Sequence, residues 1–175
     1  MKISLIGYGQ MGKMLHQLGA EKGFEICSII DPMVPGCQKE ISKENLNHAD
    51  VAIEFSHPGA VTKNLEHLIE LKQCTVVGTT GWQEEMPHIL KRAEAAGIGF
   101  VYGSNFSLGM NLFSRIIASA VQTMDLFEDY DILAWEKHHA RKADSPSGTA
   151  VELAKLILEQ STRKQKVVWD RMQRK

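Results

Sequence analysis

The chain has 175 residues, enough for one large domain or one and a half, with an ordinary globular balance of 43% apolar and 23% charged residues. Its formal net charge of −1 lacks the basic excess of a nucleic-acid binder, and no acidic tail argues for disorder. No apolar run approaches the ~20 residues of a membrane span, the first apolar stretch is too short for a signal-peptide core, and Cys27, Cys37 and Cys74 fit neither a disulfide framework nor a zinc site. These features predict a cytoplasmic protein with no metal centre, no nucleic-acid partner and no membrane.

Ile3 to Ile6 is a short β-branched run that reads as a buried strand. Gly7-Tyr8-Gly9-Gln10-Met11-Gly12 follows at once, and Met14, Leu15 and Leu18 then fall at helical spacing. A second strand, Phe24 to Ile30, ends at Asp31-Pro32. A glycine cluster alone is weak evidence. Here a strand precedes it, a helix follows, and Asp31 stands 19 residues past Gly12, close to the ~20 expected of a ribose-binding carboxylate. In that reading Gly7 permits the tight turn, Gly9 lets a pyrophosphate reach the backbone, and Gly12 lets helix and strand approach. Asp31 would accept hydrogen bonds from ribose hydroxyls and repel a 2′-phosphate. Lys39 is the nearest later cation, so NADH is expected in preference to NADPH.

Pro32 to Asn47 reads as a surface connection with at most one helical turn. Asp50 to Phe55 is a third strand, turned by Ser56-His57-Pro58-Gly59, and Ala60 to Lys72 is an amphipathic helix. Cys74 to Val77 is a fourth strand, ending in Gly78-Thr79-Thr80-Gly81. Glu84 to Ala96 is helical, with Pro87 tolerable in the first turn. Ile98 to Tyr102 is a fifth strand, leading to Gly103-Ser104-Asn105-Phe106-Ser107-Leu108-Gly109. Such alternation predicts a Rossmann-type, doubly wound parallel α/β sheet, with ligands beyond the carboxyl ends of the strands. Every unusual turn lies at such an end, which suggests one shared cleft. His16, His48, His67 and His88 read as surface residues and His57 as a turn residue.

Met110 to Thr123 is the next helix, Asp131 to Trp135 an extended run, Gly148 to Gln160 a helix, and Val167-Val168-Trp169 the possible start of a strand. Between them lies Trp135-Glu136-Lys137-His138-His139-Ala140-Arg141-Lys142, followed by Ala143-Asp144-Ser145-Pro146-Ser147-Gly148-Thr149-Ala150. Histidine exchanges protons near neutral pH, the cations attract carboxylates or phosphates, and the first N–H groups of a helix point at anions. Alone, the run is equally a polar loop before a capped helix. A dinucleotide-binding domain over residues 1–108 and a smaller α+β substrate domain over 109–175 are expected.

Four stretches, in order, resemble the dihydrodipicolinate reductase (4-hydroxy-tetrahydrodipicolinate reductase) family: Glu54-Phe55-Ser56-His57-Pro58, Gly78-Thr79-Thr80-Gly81, Asn105 to Asn111, and the run from Glu136 to Ala150. The resemblance implies NAD(P)H-dependent reduction of a cyclic dicarboxylic acid in lysine and diaminopimelate biosynthesis, by a homotetramer. It implies His138 as proton donor or ring-polarising residue, and His139 and Lys142 as substrate ligands, Lys142 also assisting protonation. Ser147, Gly148 and Thr149 would hold a carboxylate at the helix start. Gly7 to Gly12, Asp31, Phe55, Ser56, Gly78, Thr79, Thr80 and Ser104 to Ser107 would hold the cofactor. Two departures stand out. The glycine loop is one residue shorter than in many members, and members continue past Lys175, so an incomplete second domain is expected. The alternatives are another small NAD(P)-dependent dehydrogenase or a non-catalytic NAD-binding module.

Overall fold

The structure, a computed structural model, describes residues 1–138 and 145–170. It divides into two compact units, the first spanning Met1–Phe106 and the second beginning at Ser107. In the first unit, strands β1 (Lys2–Ile6), β2 (Glu25–Ile30), β3 (Val51–Glu54), β4 (Thr75–Val77) and β5 (Phe100–Tyr102) alternate with helices α1 (Gln10–Glu21), α2 (Pro58–Glu70) and α3 (Met86–Ala96). All strand pairs are parallel, in the order β2-β1-β3-β4-β5. This is the doubly wound sheet that the alternation predicts. β1 lies between β2 and the middle strand β3, and the strand order reverses beside it, which is where such sheets bind ligands.

The register explains the core. Ile6 pairs with Glu54 and Glu54 with Val77, so these side chains share one face with Ala52. α2 and α3 cover that face with Val61, Leu65, Leu68, Ile89 and Ala93, all buried. Each fully buried Leu contributes roughly 1.5–3 kcal/mol. α1 packs closely on β2, so that a Cβ on Gly19 would stand 2.9 Å from Ile26 Cδ1. Helix ends follow local chemistry. Pro58 opens α2 and Pro87 lies in the first turn of α3, where a missing N–H costs nothing, and Gly97 closes α3 at φ +68°.

The connection after β2 is less superficial than its composition suggests. Leu46 is 4% exposed and joins the core, while Gln38 forms a bridge with Ile30. Composition reports polarity, but one apolar residue at the right turn is enough to pin a loop. The Trp of the Gly78–Gly81 turn is also structural. Trp82 is 1% exposed, donates its indole N–H to Thr79 O at 2.7 Å and meets Tyr102 edge-on at 5.0 Å.

The second unit contains α4 (Leu108–Met124) and α5 (Gly148–Gln160). Val121 is its buried apolar residue among the described residues. Polar clamps do most of the joining. Gln122 reaches Gln160 at 2.6 Å, and Asp125 accepts the N–H and hydroxyl of Thr162 at 2.7 Å each, with the Ser161 hydroxyl beside them. Arg163 donates to the carbonyls of Met124, Phe127, Glu128 and Tyr130. The expected strand at 167–169 is not formed, and residues 131–135 have no regular secondary structure either. β-branched residues favour strands only where a neighbour supplies the ladder, and no described segment pairs with either run. Asp131, at the start of the first run, pairs with Lys164 at 2.6 Å.

Candidate functional site

In the first unit the turn after β1 is made by its glycines. Gly7 has φ +90°, and a Cβ there would lie 2.3 Å from Phe55 O. A Cβ on Gly12 would lie 2.2 Å from Gly7 O, whereas Gly9 has no atom within 4 Å of that position. The loop is thus closed on the protein side and open at Gly9. Gly9 caps α1 without any side-chain hydrogen bond, and no acidic residue occupies the first turn. The first N–H groups of α1 therefore form an anion cradle with the positive end of the helix dipole behind them.

Asp31 stands at the end of β2 and accepts the Tyr8 N–H and the Met33 N–H, each at 2.8 Å. Each carboxylate oxygen keeps capacity for a further donor. Lys39 folds back to donate to Pro32 O at 3.2 Å and Val34 O at 2.8 Å. The Tyr8 hydroxyl meets His16 Nδ1 at 2.7 Å, so His16 is a half-buried partner of the glycine loop and not the surface residue its helix position suggests.

A cleft of about 410 Å³ opens above these turns, lined by Gly9, Gln10, Met11, Phe55, Ser56, Pro58, Gly78, Thr79 and Thr80. Three strand ends build it. Gly78 is glycine because a Cβ would lie 1.9 Å from the Phe55 ring. Ser56 N–H donates to Thr79 Oγ1 at 2.8 Å, tying the β3 and β4 turns together. Below them Glu54 is fully buried, and its Oε1 accepts from Asn64 Nδ2 at 3.2 Å and from the Ser56 hydroxyl. His57 does not line the cleft; its Nδ1 accepts the Gly59 N–H at 3.0 Å and caps α2. Ser104, Asn105 and Phe106 are also absent from the cleft lining; the Phe106 ring packs 6.4 Å from that of Phe55. Ser107 belongs to the second unit and caps α4 by accepting the Met110 N–H at 3.3 Å.

The second unit gathers a different set. Ser147 caps α5 by accepting the Ala150 N–H at 3.1 Å, which places Gly148 and Thr149 in the first turn. Glu136 Oε1 accepts the Ser147 N–H at 2.8 Å, while Oε2 accepts the Ser147 hydroxyl and lies 2.8 Å from His138 Nε2. The Ser147 hydroxyl, His138 and the Ser147 N–H, in that order, lower the Glu136 carboxyl to about 2. His139 and Lys142 lie outside the described residues.

Two family models divide the chain between them: dihydrodipicolinate reductase, N-terminus, over residues 1–106, and dihydrodipicolinate reductase, C-terminus, over 109–174. The chain belongs to the dihydrodipicolinate reductase family. Similar proteins include the 4-hydroxy-tetrahydrodipicolinate reductases of Christiangramia forsetii and Staphylococcus haemolyticus, each 36% identical, over 93% and 90% of this chain. The chain spans 66% and 64% of their respective lengths. A solved structure described as dipicolinate-bound dihydrodipicolinate reductase from Paenisporosarcina sp. TG-14 aligns over 99% of this chain and 71% of its own, with TM-score 0.75 at 21% identity. Apo scyllo-inositol dehydrogenase from Lactobacillus casei aligns over 71% of this chain and 42% of its own, with TM-score 0.51 at 19% identity. Both structural likenesses speak to the fold.

Within this family member, reading the sequence assigned no role to Glu136, Glu54, Asn64 or His16. Glu136 was legible as part of the signature, but its partner Ser147 is 11 residues away. Glu54 carried one weak signal, an acidic residue ending an otherwise apolar strand.

Proposed function

We propose that the chain belongs to an NAD(P)H-dependent reductase that converts 4-hydroxy-tetrahydrodipicolinate to tetrahydrodipicolinate in lysine and diaminopimelate biosynthesis. The observation that carries this reading is the second-unit arrangement of His138 and the first turn of α5, joined through one carboxylate, in a chain matched by both halves of the family. A histidine beside a helix N-terminus suits a dianionic substrate that must be held and protonated.

The first unit fits a dinucleotide. Gly9 leaves the space a Cβ would narrow, the uncapped start of α1 offers N–H groups to a pyrophosphate, and Asp31 retains acceptor capacity for ribose hydroxyls. When bound, the reduced nicotinamide supplies hydride. Ser56, Gly78, Thr79 and Thr80, all in the lining of the cleft, would shape its nicotinamide end. Asp31 favours NADH, because its charge opposes a 2′-phosphate and Lys39 is engaged by backbone carbonyls. In the second unit the N–H groups of Gly148 and Thr149 would hold one substrate carboxylate, with His139 and Lys142 as further ligands; Ser147, expected to join them, gives both its N–H and its hydroxyl to Glu136. His138 would donate the proton, assisted by Lys142. The substrate is a cyclic dicarboxylate, and a homotetramer is the assembly this reading carries. No described helix is long and apolar enough to cross a membrane, and the three cysteines are unpaired, which supports a cytoplasmic setting.

The test is NADH oxidation with enzymatically generated 4-hydroxy-tetrahydrodipicolinate, on this chain and on His138→Ala. The variant is expected to lose about 10²–10⁴-fold in kcat while NADH affinity holds. Cofactor binding with no turnover by the unaltered chain would instead support a non-catalytic NAD-binding module.

A further inference from the structure

The proposed acid, His138, does not stand alone. Its Nε2 lies 2.8 Å from Glu136 Oε2, and the same carboxylate takes both the N–H and the hydroxyl of Ser147. A carboxyl lowered to about 2 is ionised at neutral pH and can only accept hydrogen bonds. The hydrogen between Glu136 and His138 therefore sits on Nε2. Among the described residues, His138 Nδ1 makes no hydrogen bond. The Ser147 hydroxyl donates to Glu136 and still accepts the Ala150 N–H, so the cap of α5 is complete without any contribution from substrate.

We infer that Glu136 is a positioning residue: it fixes His138 with hydrogen on Nε2, makes Nδ1 the nitrogen that exchanges the catalytic proton, and fastens the imidazole to the start of α5. This rests on the reductase reading for what the proton does. Conversion of 4-hydroxy-tetrahydrodipicolinate to tetrahydrodipicolinate releases one water, made from the ring hydroxyl and a ring hydrogen. The unsaturated ring that remains would take a hydride from a bound reduced nicotinamide, which is oxidised, and a proton from Nδ1–H of the His138 imidazolium. The N–H electron pair remains on Nδ1, leaving a neutral imidazole still donating Nε2–H to Glu136. Solvent then returns the proton to Nδ1. One carboxylate thus sets the orientation of the acid and anchors the turn proposed to hold the substrate carboxylate. It does this within a segment of few apolar contacts, where packing cannot.

The decisive measurement is the tautomer of His138, read from long-range proton–nitrogen correlation spectra of the full chain at a pH where the ring is neutral. His138→Ala identifies the signal by its disappearance. The unaltered chain is expected to carry hydrogen on Nε2. In Glu136→Gln the amide oxygen keeps the Ser147 N–H while the amide nitrogen donates to His138 Nε2, so hydrogen moves to Nδ1. The same variant is expected to lose on the order of 10²-fold or more in kcat, as wrong-tautomer histidines do, with KM for NADH unchanged. A purely structural role for Glu136 would not move the tautomer. Hydrogen on Nδ1 in the unaltered chain, an unmoved tautomer in Glu136→Gln, or an unchanged kcat in a folded Glu136→Gln each overturns the inference. If Glu136→Gln fails to fold, the unaltered chain's tautomer decides. Absence of turnover in the unaltered chain overturns the reductase reading alone, because the tautomer measurement needs no substrate.

Discussion

The two units hold themselves together by different physics. In the first, residues such as Ile6, Leu65, Leu68, Val77 and Trp82 are at most 2% exposed, and the helices close over one sheet face. In the second, Leu108, Leu112 and Ile116 are more than half exposed, and carboxylates and one guanidinium join the segments. The lesson concerns where precision comes from. Apolar packing fixes the turns of the cofactor cleft indirectly, through the strands that carry them. In the second unit hydrogen bonds join the segments, and one further carboxylate, Glu136, bonds both His138 and the Ser147 cap of α5, so the role we infer for it would be shared between fold and chemistry.

That contrast can be broken at its strongest point first. Trp82→Ala should cost the first unit about 3–5 kcal/mol, as large-to-small changes in closed cores do, and loosen the Thr79 turn; urea unfolding followed by sheet signals measures it. Gly78→Ala should come next. Its Cβ would overlap the Phe55 ring, which must move, and NADH affinity should fall by about tenfold or more, roughly 1.4 kcal/mol, by isothermal calorimetry.

Acid should then separate the units. Asp125 and Glu136 are lowered from ordinary values of 3.8 and 4.5 to about 2, Asp125 chiefly by the Ser161 and Thr162 hydroxyls. A carboxyl lowered in the folded state stabilises it above its unfolded value and loses that contribution as pH falls. The α4–α5 amide signals should therefore weaken between about pH 4.5 and 2 while the sheet signals persist. Simultaneous loss would mean that the polar clamps do not govern the second unit. The smallest effect is expected from Asp31→Asn, which removes charge but keeps an acceptor. The ratio of catalytic efficiency with NADPH to that with NADH should rise about tenfold. An unchanged ratio would remove Asp31 from cofactor choice.

Much of the first unit was legible because its signals are local. Ile3 to Ile6, the Gly7–Gly12 spacing and Asp31 lie within one βαβ unit, where period and turn chemistry decide the outcome. The reach of Trp82 into the core was not legible, because a tryptophan after a glycine turn has no periodicity to report its burial. The strand expected at Val167–Trp169 failed for the opposite reason: propensity was present and the partner strand was not.

The amino-acid sequence by itself determined the order of elements in the first unit, the glycine turns and the family. Those depend on residue type and short spacing. Only the tertiary structure decided that Asp31 also holds Tyr8, that His16 meets Tyr8, that Glu54 is buried beneath Ser56, and that Glu136 joins His138 to Ser147. Each of these is a hydrogen bond between residues that the fold brings together. Its geometry depends on where the chain turns, which no single residue in the pair encodes.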